Sequence, residues 1–180
     1  MRPGASVPVL VSVLSAAPAT AMTLEEAART NLALAVSLCL APAQDGPTRA
    51  AAFRAAGFAE RVDRSAVNSD TTHFFTAPAN TVTVELYCGE MPQDCRAKTG
   101  VLGVSEASRV IDQIVPQLYP QYQRKALQGP TDPATGQPAL CVRYEQPGTE
   151  IPHVVGVIPG QDAAGCIENG TSVVFDATLV

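Results

Sequence analysis

Residues 81–88, "TVTVELYC", alternate strictly, Thr81, Thr83, Glu85 and Tyr87 against Val82, Val84, Leu86 and Cys88. A repeat of two puts every apolar side chain on one face of an extended chain, so the stretch predicts a strand with one buried side. Such a strand needs a second layer, and two segments have the helical period to supply it. In residues 23–40, Leu24, Ala27, Ala28, Leu32, Ala35, Leu38 and Cys39 recur at spacings of three and four. In residues 105–118, Val110, Ile111, Ile114, Val115 and Leu118 share a face opposite Arg109, Asp112, Gln113 and Gln117. Thr23 followed by Glu26 matches a capping box at the start of the first helix. After the break "APAQDGP", a shorter helix in "TRAAAFRAAGF" is closed by Gly57, so the first two helices read as a hairpin.

Four further runs, "THFFT", "ALCVRYE", "HVVGVI" and "TSVVFDA", are bounded by Pro, Gly and Asn and read as strands. Pro116 and Pro120 make "PQLYPQYQRK" irregular, and "QGPTDPATGQP" reads as a turn-rich loop. The expected fold is therefore α+β: an N-terminal helical hairpin, then a mainly antiparallel sheet of about five strands with one further helix packed on it, stapled by disulfides.

Residues 1–21 have the parts of a secretion signal: Arg2, an apolar run from Val7 to Ala17, and small residues at Ala19 and Ala21. The run is too short to span a bilayer, so no stable membrane anchor is expected. A rival cleavage after Ala43 is weakened by Glu25 and Glu26, which would make an acidic leader. Residues 22–180 then form a single α+β domain. Without Arg2 the chain holds 11 basic and 17 acidic residues, a formal charge of −6, which disfavours nucleic acid as partner. Arginine outnumbers lysine and alanine is abundant, a composition that suits a bacterial gene, and export then means a periplasmic or secreted protein.

Export makes cysteine pairing the default, and five cysteines leave one over. Cys88 and Cys95 are separated by six residues, too many for the usual zinc grip or for a Cys-x-x-Cys redox pair. A local disulfide Cys88–Cys95 is expected, with metal and redox roles as its rivals. Cys141–Cys166 is the second expected bridge, on a hairpin register in which Tyr144 faces His153 and Cys141 faces Gly156. Crossed pairings stay open. Cys39, among leucines on the first helix, is the expected free thiol.

Candidate catalytic residues are few. His73 and His153 each need a convergent partner before either can act. Glu85, Glu90 and Asp94 could hold a hard cation, though a solvated acidic rim explains them equally. Tyr119, Tyr122 and Arg124 have the composition of a binding hot spot, and a helix end packing its tyrosines inward is the alternative. "NGT" at Asn169 is a glycosylation acceptor or a turn. No nucleophile elbow, metalloprotease motif or phosphate-binding glycine loop occurs, so no metal or other cofactor is expected. The resulting expectation is an exported bacterial envelope protein that binds another envelope protein. The alternatives are a small hydrolase with a non-standard His/carboxylate site and a thiol redox protein.

Overall fold

The computed structural model describes residues 22–42, 45–66, 69–89, 94–131, 138–160 and 170–178. The expected secretion signal, Glu90, Cys166 and Asn169 lie outside them. The chain starts in α1 (Leu24–Cys39), where the Thr23 hydroxyl accepts from the Glu26 amide and the Glu26 carboxylate accepts from the Thr23 amide at 2.8 Å, completing the capping box. Asp45 caps α2 (Gly46–Ala55) by accepting from the Thr48 amide at 2.8 Å. Gly57 ends that helix in the left-handed region, at φ 86°. The third helix, α3 (Val104–Leu118), carries Pro116 in its last turn.

The strands are β1 (Ala59–Arg64), β2 (Thr71–Thr76), β3 (Thr83–Cys88), β4 (Cys95–Thr99), β5 (Gln123–Thr131), β6 (Pro138–Glu145), β7 (His153–Pro159) and β8 (Ser172–Thr178). They form one sheet in the order β1-β2-β3-β4-β8-β7-β6-β5, with every neighbouring pair antiparallel. This overturns the expected helical hairpin with five strands: the sheet has eight, and α1 packs chiefly against α3 and β4 while α2 lies over β3. The reason lies in the helix surfaces. Ala28, Leu32, Ala35 and Val36 bury a wide stripe of α1, whereas α2 buries only Gly46, Ala50 and Phe53, too little to hold α1 alone.

All three helices cover the same side of the sheet. Phe75, Val84, Leu86, Ala97, Val174, Val155 and Val157 face them, and Phe53 of α2 stacks on Phe75 with ring centroids 4.7 Å apart. The other side carries ion pairs such as Glu85–Lys98 and Arg143–Glu145, with Arg61 lying 4.2 Å over the Phe74 ring. Among the described residues no helix is long and apolar enough to cross a membrane.

On that outer side Phe175 lies across Gly156, its register partner, so closely that an added Cβ would meet the ring at 2.4 Å. Gly156→Ala is therefore expected to push the ring aside and cost about 1–3 kcal/mol, the usual penalty of overpacking. Urea unfolding would show it as a lower midpoint at unchanged slope.

The hairpin register also differs from expectation. Tyr144 faces Val155 and Arg143 faces Gly156, a shift of two residues from the expected pairing. The Gln146 amide bonds to the His153 carbonyl at 3.0 Å, continuing this register toward the turn. Because the shift is even, Cys141 and His153 still point to opposite faces.

Candidate functional site

Both histidines sit on the helix-covered side of the sheet, on β2 and β7. Four strand spacings separate those strands, about 19 Å, so they cannot share a site. Each has a carboxylate beside it. His73 Nδ1 lies 2.8 Å from Glu60 Oε1, and Arg54 donates to both oxygens of Glu60 at 3.0 and 2.9 Å. Burial pushes the Glu60 carboxyl up, but the hydrogen bonds from His73 and Arg54 outweigh it and hold it below its ordinary range.

His153 stands at the centre of the denser cluster. β7 and β8 pair with Val155 opposite Asp176, which brings Asp176 diagonally beside His153 on the same face. His153 Nε2 is in close contact with Asp176 Oδ1, and the Tyr122 hydroxyl lies 2.8 Å from His153 Nδ1. The Asp176 Oδ1 contact lacks hydrogen-bond geometry and leaves that oxygen without a donor among the described residues, whereas the Tyr122 hydroxyl and Nδ1 share a hydrogen bond whose direction follows the imidazole tautomer. Arg49, from α2, approaches Asp176 Oδ2 at 3.7 Å and reaches the Ala41 carbonyl at 3.5 Å. Tyr119 stacks on Tyr122 at 4.7 Å and donates to the Leu40 carbonyl at 2.8 Å.

The charged floor of the cluster is nearly closed to water, with the side chain of Asp176 6% exposed and that of Arg49 12%, while His153 keeps 26% of its side chain exposed. Burial, reinforced by Tyr119 and Asp176, pushes the Tyr122 phenol up to about 12. Tyr119 is raised too, first by burial and then by Asp176. A third acid–base group lies over the sheet, where Arg124 donates to both oxygens of Asp112 at 2.8 and 3.0 Å and Tyr144 donates to Oδ1 at 2.8 Å. Burial and the Asp112 carboxylate push Tyr144 up to about 12.

These shifts predict an alkaline transition. A phenol ionises near pH 10 in the unfolded chain, so the stability held by Tyr122 and Tyr144 is fully present below pH 10 and is lost as pH rises toward about 12. A spectrophotometric titration of the native protein should show Tyr122 and Tyr144 ionising late, with Tyr119 also above the ordinary phenol range. Tyr122→Phe should remove one of these late steps.

The cysteines depart from the local-bridge expectation. Cys95 pairs with Cys39, their Cα atoms 5.7 Å apart, and Cys88 keeps a free, half-buried thiol. The register explains this. Leu86 stands opposite Cys95, so Cys88 is two residues further along β3, while Cys95 points up at the C-terminal end of α1. The Cys88 sulfur instead packs on Gly46, where an added Cβ would lie 2.3 Å from it. Burial pushes the Cys88 thiol up, the opposite of what a reactive cysteine needs. Cys141 is disulfide-bonded, and Cys166, its expected partner, lies outside the described residues.

Of the suspected hot spot, Tyr119 and Tyr122 turn their hydroxyls into the cluster, while Arg124 stays exposed and is paired with Asp112. The carboxylates near the first cysteines are separated, Glu85 with Lys98 at 3.2 Å and Asp94 with Arg96 at 2.7 Å. Among the described residues no three His, Cys, Asp or Glu side chains converge to hold a metal. Arg49 and Asp176 are the cluster members the sequence reading missed. Asp176 had a visible signal, since it occupies an inward position of the alternating run Ser172, Val174, Asp176.

At the opposite end of the sheet a recess of about 220 Å³ opens between β3, β4, Gly160 after β7 and the start of β8, lined by Asn80, Thr83, Lys98 and Thr99 among others. Asn80, on its lining, and the preceding Ala79 are consecutive residues in the left-handed region at φ 52° and 59°. No protein family, curated protein or solved structure matches the chain.

Proposed function

We propose that this chain works by binding, as an exported accessory module that contacts another protein of the cell envelope. What carries the reading is how its converging titratable groups close on one another. Asp176 is taken up by His153 and Arg49, Glu60 by His73 and Arg54, and Asp112 by Arg124 and Tyr144. The recess that faces water is lined mainly by hydroxyl and amide groups, with Lys98 held by Glu85. Such a lining recognises by hydrogen bonding and lacks the acid–base pair that catalysis needs. The apolar leader and the Cys39–Cys95 bridge support export to an oxidising compartment, periplasmic or extracellular.

A photoreactive residue placed at Thr83, with a second at Ala126 as control, tests this reading in intact cells. The expected result is one discrete protein adduct from position 83 and none from 126, with the yield reduced by Lys98→Ala. Equal labelling at both positions would sink it.

A second reading, hydrolysis, is favoured by the order of Asp176, His153 and Tyr122, which matches a carboxylate–imidazole–hydroxyl relay. Against it, a phenol pushed up to about 12 is a poor source of nucleophile at neutral pH. Ester or amide hydrolysis abolished by both His153→Gln and Tyr122→Phe would establish the second reading over the first.

A further inference from the structure

The two ends of the sheet are built differently. At one edge, β5 carries Lys125, Pro130 and a break in register between Gln128 and Thr131, devices that keep another strand from pairing. At the other, β1 reads Ala-Glu-Arg-Val-Asp-Arg, unbroken in register and without Pro or Lys, and five of its six residues are exposed.

The hydrogen-bond parity of β1 is fixed by its hairpin with β2. The Ser65 amide bonds to Asp70 at 3.0 Å, in the same register that sets Arg64 opposite Thr71. By alternation, Arg61 and Asp63 turn their backbone groups toward β2, and Glu60, Val62 and Arg64 turn theirs out to the free edge. Three N–H and three C=O groups are thus presented in a row.

We propose that β1 is a self-association edge, pairing antiparallel with β1 of a second copy about a two-fold axis at Val62. In this register Val62 faces Val62 of the second copy, Arg61 faces its Asp63, and Glu60 faces its Arg64. All six outward backbone groups of each strand find partners. The charges agree on both faces of the sheet. On the outer face, the Arg61–Asp63 pair of one copy, at 2.5 Å, meets the same pair reversed and closes a ring of alternating sign. On the helix-covered face, Arg64, which makes no ion pair among the described residues, gains the Glu60 carboxylate.

Neighbouring registers of the same parity are worse in two ways. Sliding by two residues leaves only four inter-copy backbone bonds and sets Arg61 against Arg61 or Asp63 against Asp63, and like charges directly opposed repel. Val62, 40% exposed in the single chain, is covered in the proposed register. An edge-to-edge contact of this kind is small, so the dimer is weak and concentration-dependent.

Sedimentation equilibrium of the full chain over a wide concentration range tests the proposal. The expected result is a mass rising from monomer to dimer and no further, because a two-fold contact closes on itself. Val62→Pro should abolish dimerisation without lowering the thermal midpoint, since the N–H it removes bonds nothing inside the chain. In a Cys88→Ser background, Val62→Cys should give a disulfide-linked dimer, because hydrogen-bonded partners stand about 5.5 Å apart at Cα. Asp63→Cys should not. Asp63→Arg should weaken the dimer, and adding Arg61→Asp should restore it by exchanging the signs. A protein that stays monomeric at millimolar concentration, a ladder of larger oligomers, or equal crosslinking at positions 62 and 63 would each overturn the assignment.

Discussion

Replacing both Cys39 and Cys95 by alanine is expected to lower stability by about 4 kcal/mol. The bridge spans a sequence separation of 56, and closing a loop of that length removes about this much freedom from the unfolded chain in the loop-entropy account. For a chain of this size the thermal midpoint should fall by roughly 10 °C. Cys88→Ser serves as the contrast, since Cys88 closes no loop, and should cost about 1 kcal/mol or less. Chemical unfolding of the two variants side by side measures the difference. A costlier Cys88→Ser would mean that the bridge in solution joins Cys88 to Cys95 after all.

The second large effect is expected at Asp176. Its carboxylate lies buried between Arg49 and His153, and Asp176→Ala leaves the Arg49 guanidinium, itself 12% exposed, without a counter-charge. Breaking a buried pair from one side typically costs about 3–5 kcal/mol, because the remaining charge stays out of water. Adding Arg49→Met to Asp176→Ala should recover a substantial part of that loss. The recovery distinguishes an orphaned charge from simple loss of packing, and a double-mutant cycle by urea unfolding reads it directly. If Asp176→Ala costs under about 1 kcal/mol, Arg49 has found water in the variant.

What the sequence revealed follows burial. The strands with long apolar runs, β3, β6, β7 and β8, and the aromatic β2 each stand out from their surroundings. The three that did not are poor in large apolar side chains. β1 is charged and lies at an edge, so no apolar face betrays it. β4 does alternate, burying Cys95, Ala97 and Thr99, but these are small side chains between charges. β5 is the other edge, and its Gly129 and Pro130 hid an extended run inside an apparent loop. The cysteine partnership was hidden for another reason. Nearness in sequence favoured Cys88 for Cys95, whereas the sheet directs Cys95 toward a helix 56 positions earlier. Of the candidate residues, His153 and Tyr122 were visible singly, but only the β7–β8 register and the end of α3 bring them together. Arg49 crosses from a different helix, a contact no local pattern encodes.

The position of β8 has a consequence for how the molecule is assembled. Among the described strands it is the last in chain order, yet it sits in the middle of the sheet, between β4 and β7. The strands before it make two ribbons, β1 to β4 and β5 to β7, bridged on the helix side where α1 packs on α3, and β8 alone joins their edges. As the chain emerges, Cys39 and Cys95 are both present long before β8, so the bridge can seal the first ribbon early. Until β8 arrives, the inner edges of β4 and β7 lie open to any passing strand. Those two edges mark the stage at which the nascent chain most needs protection from aggregation.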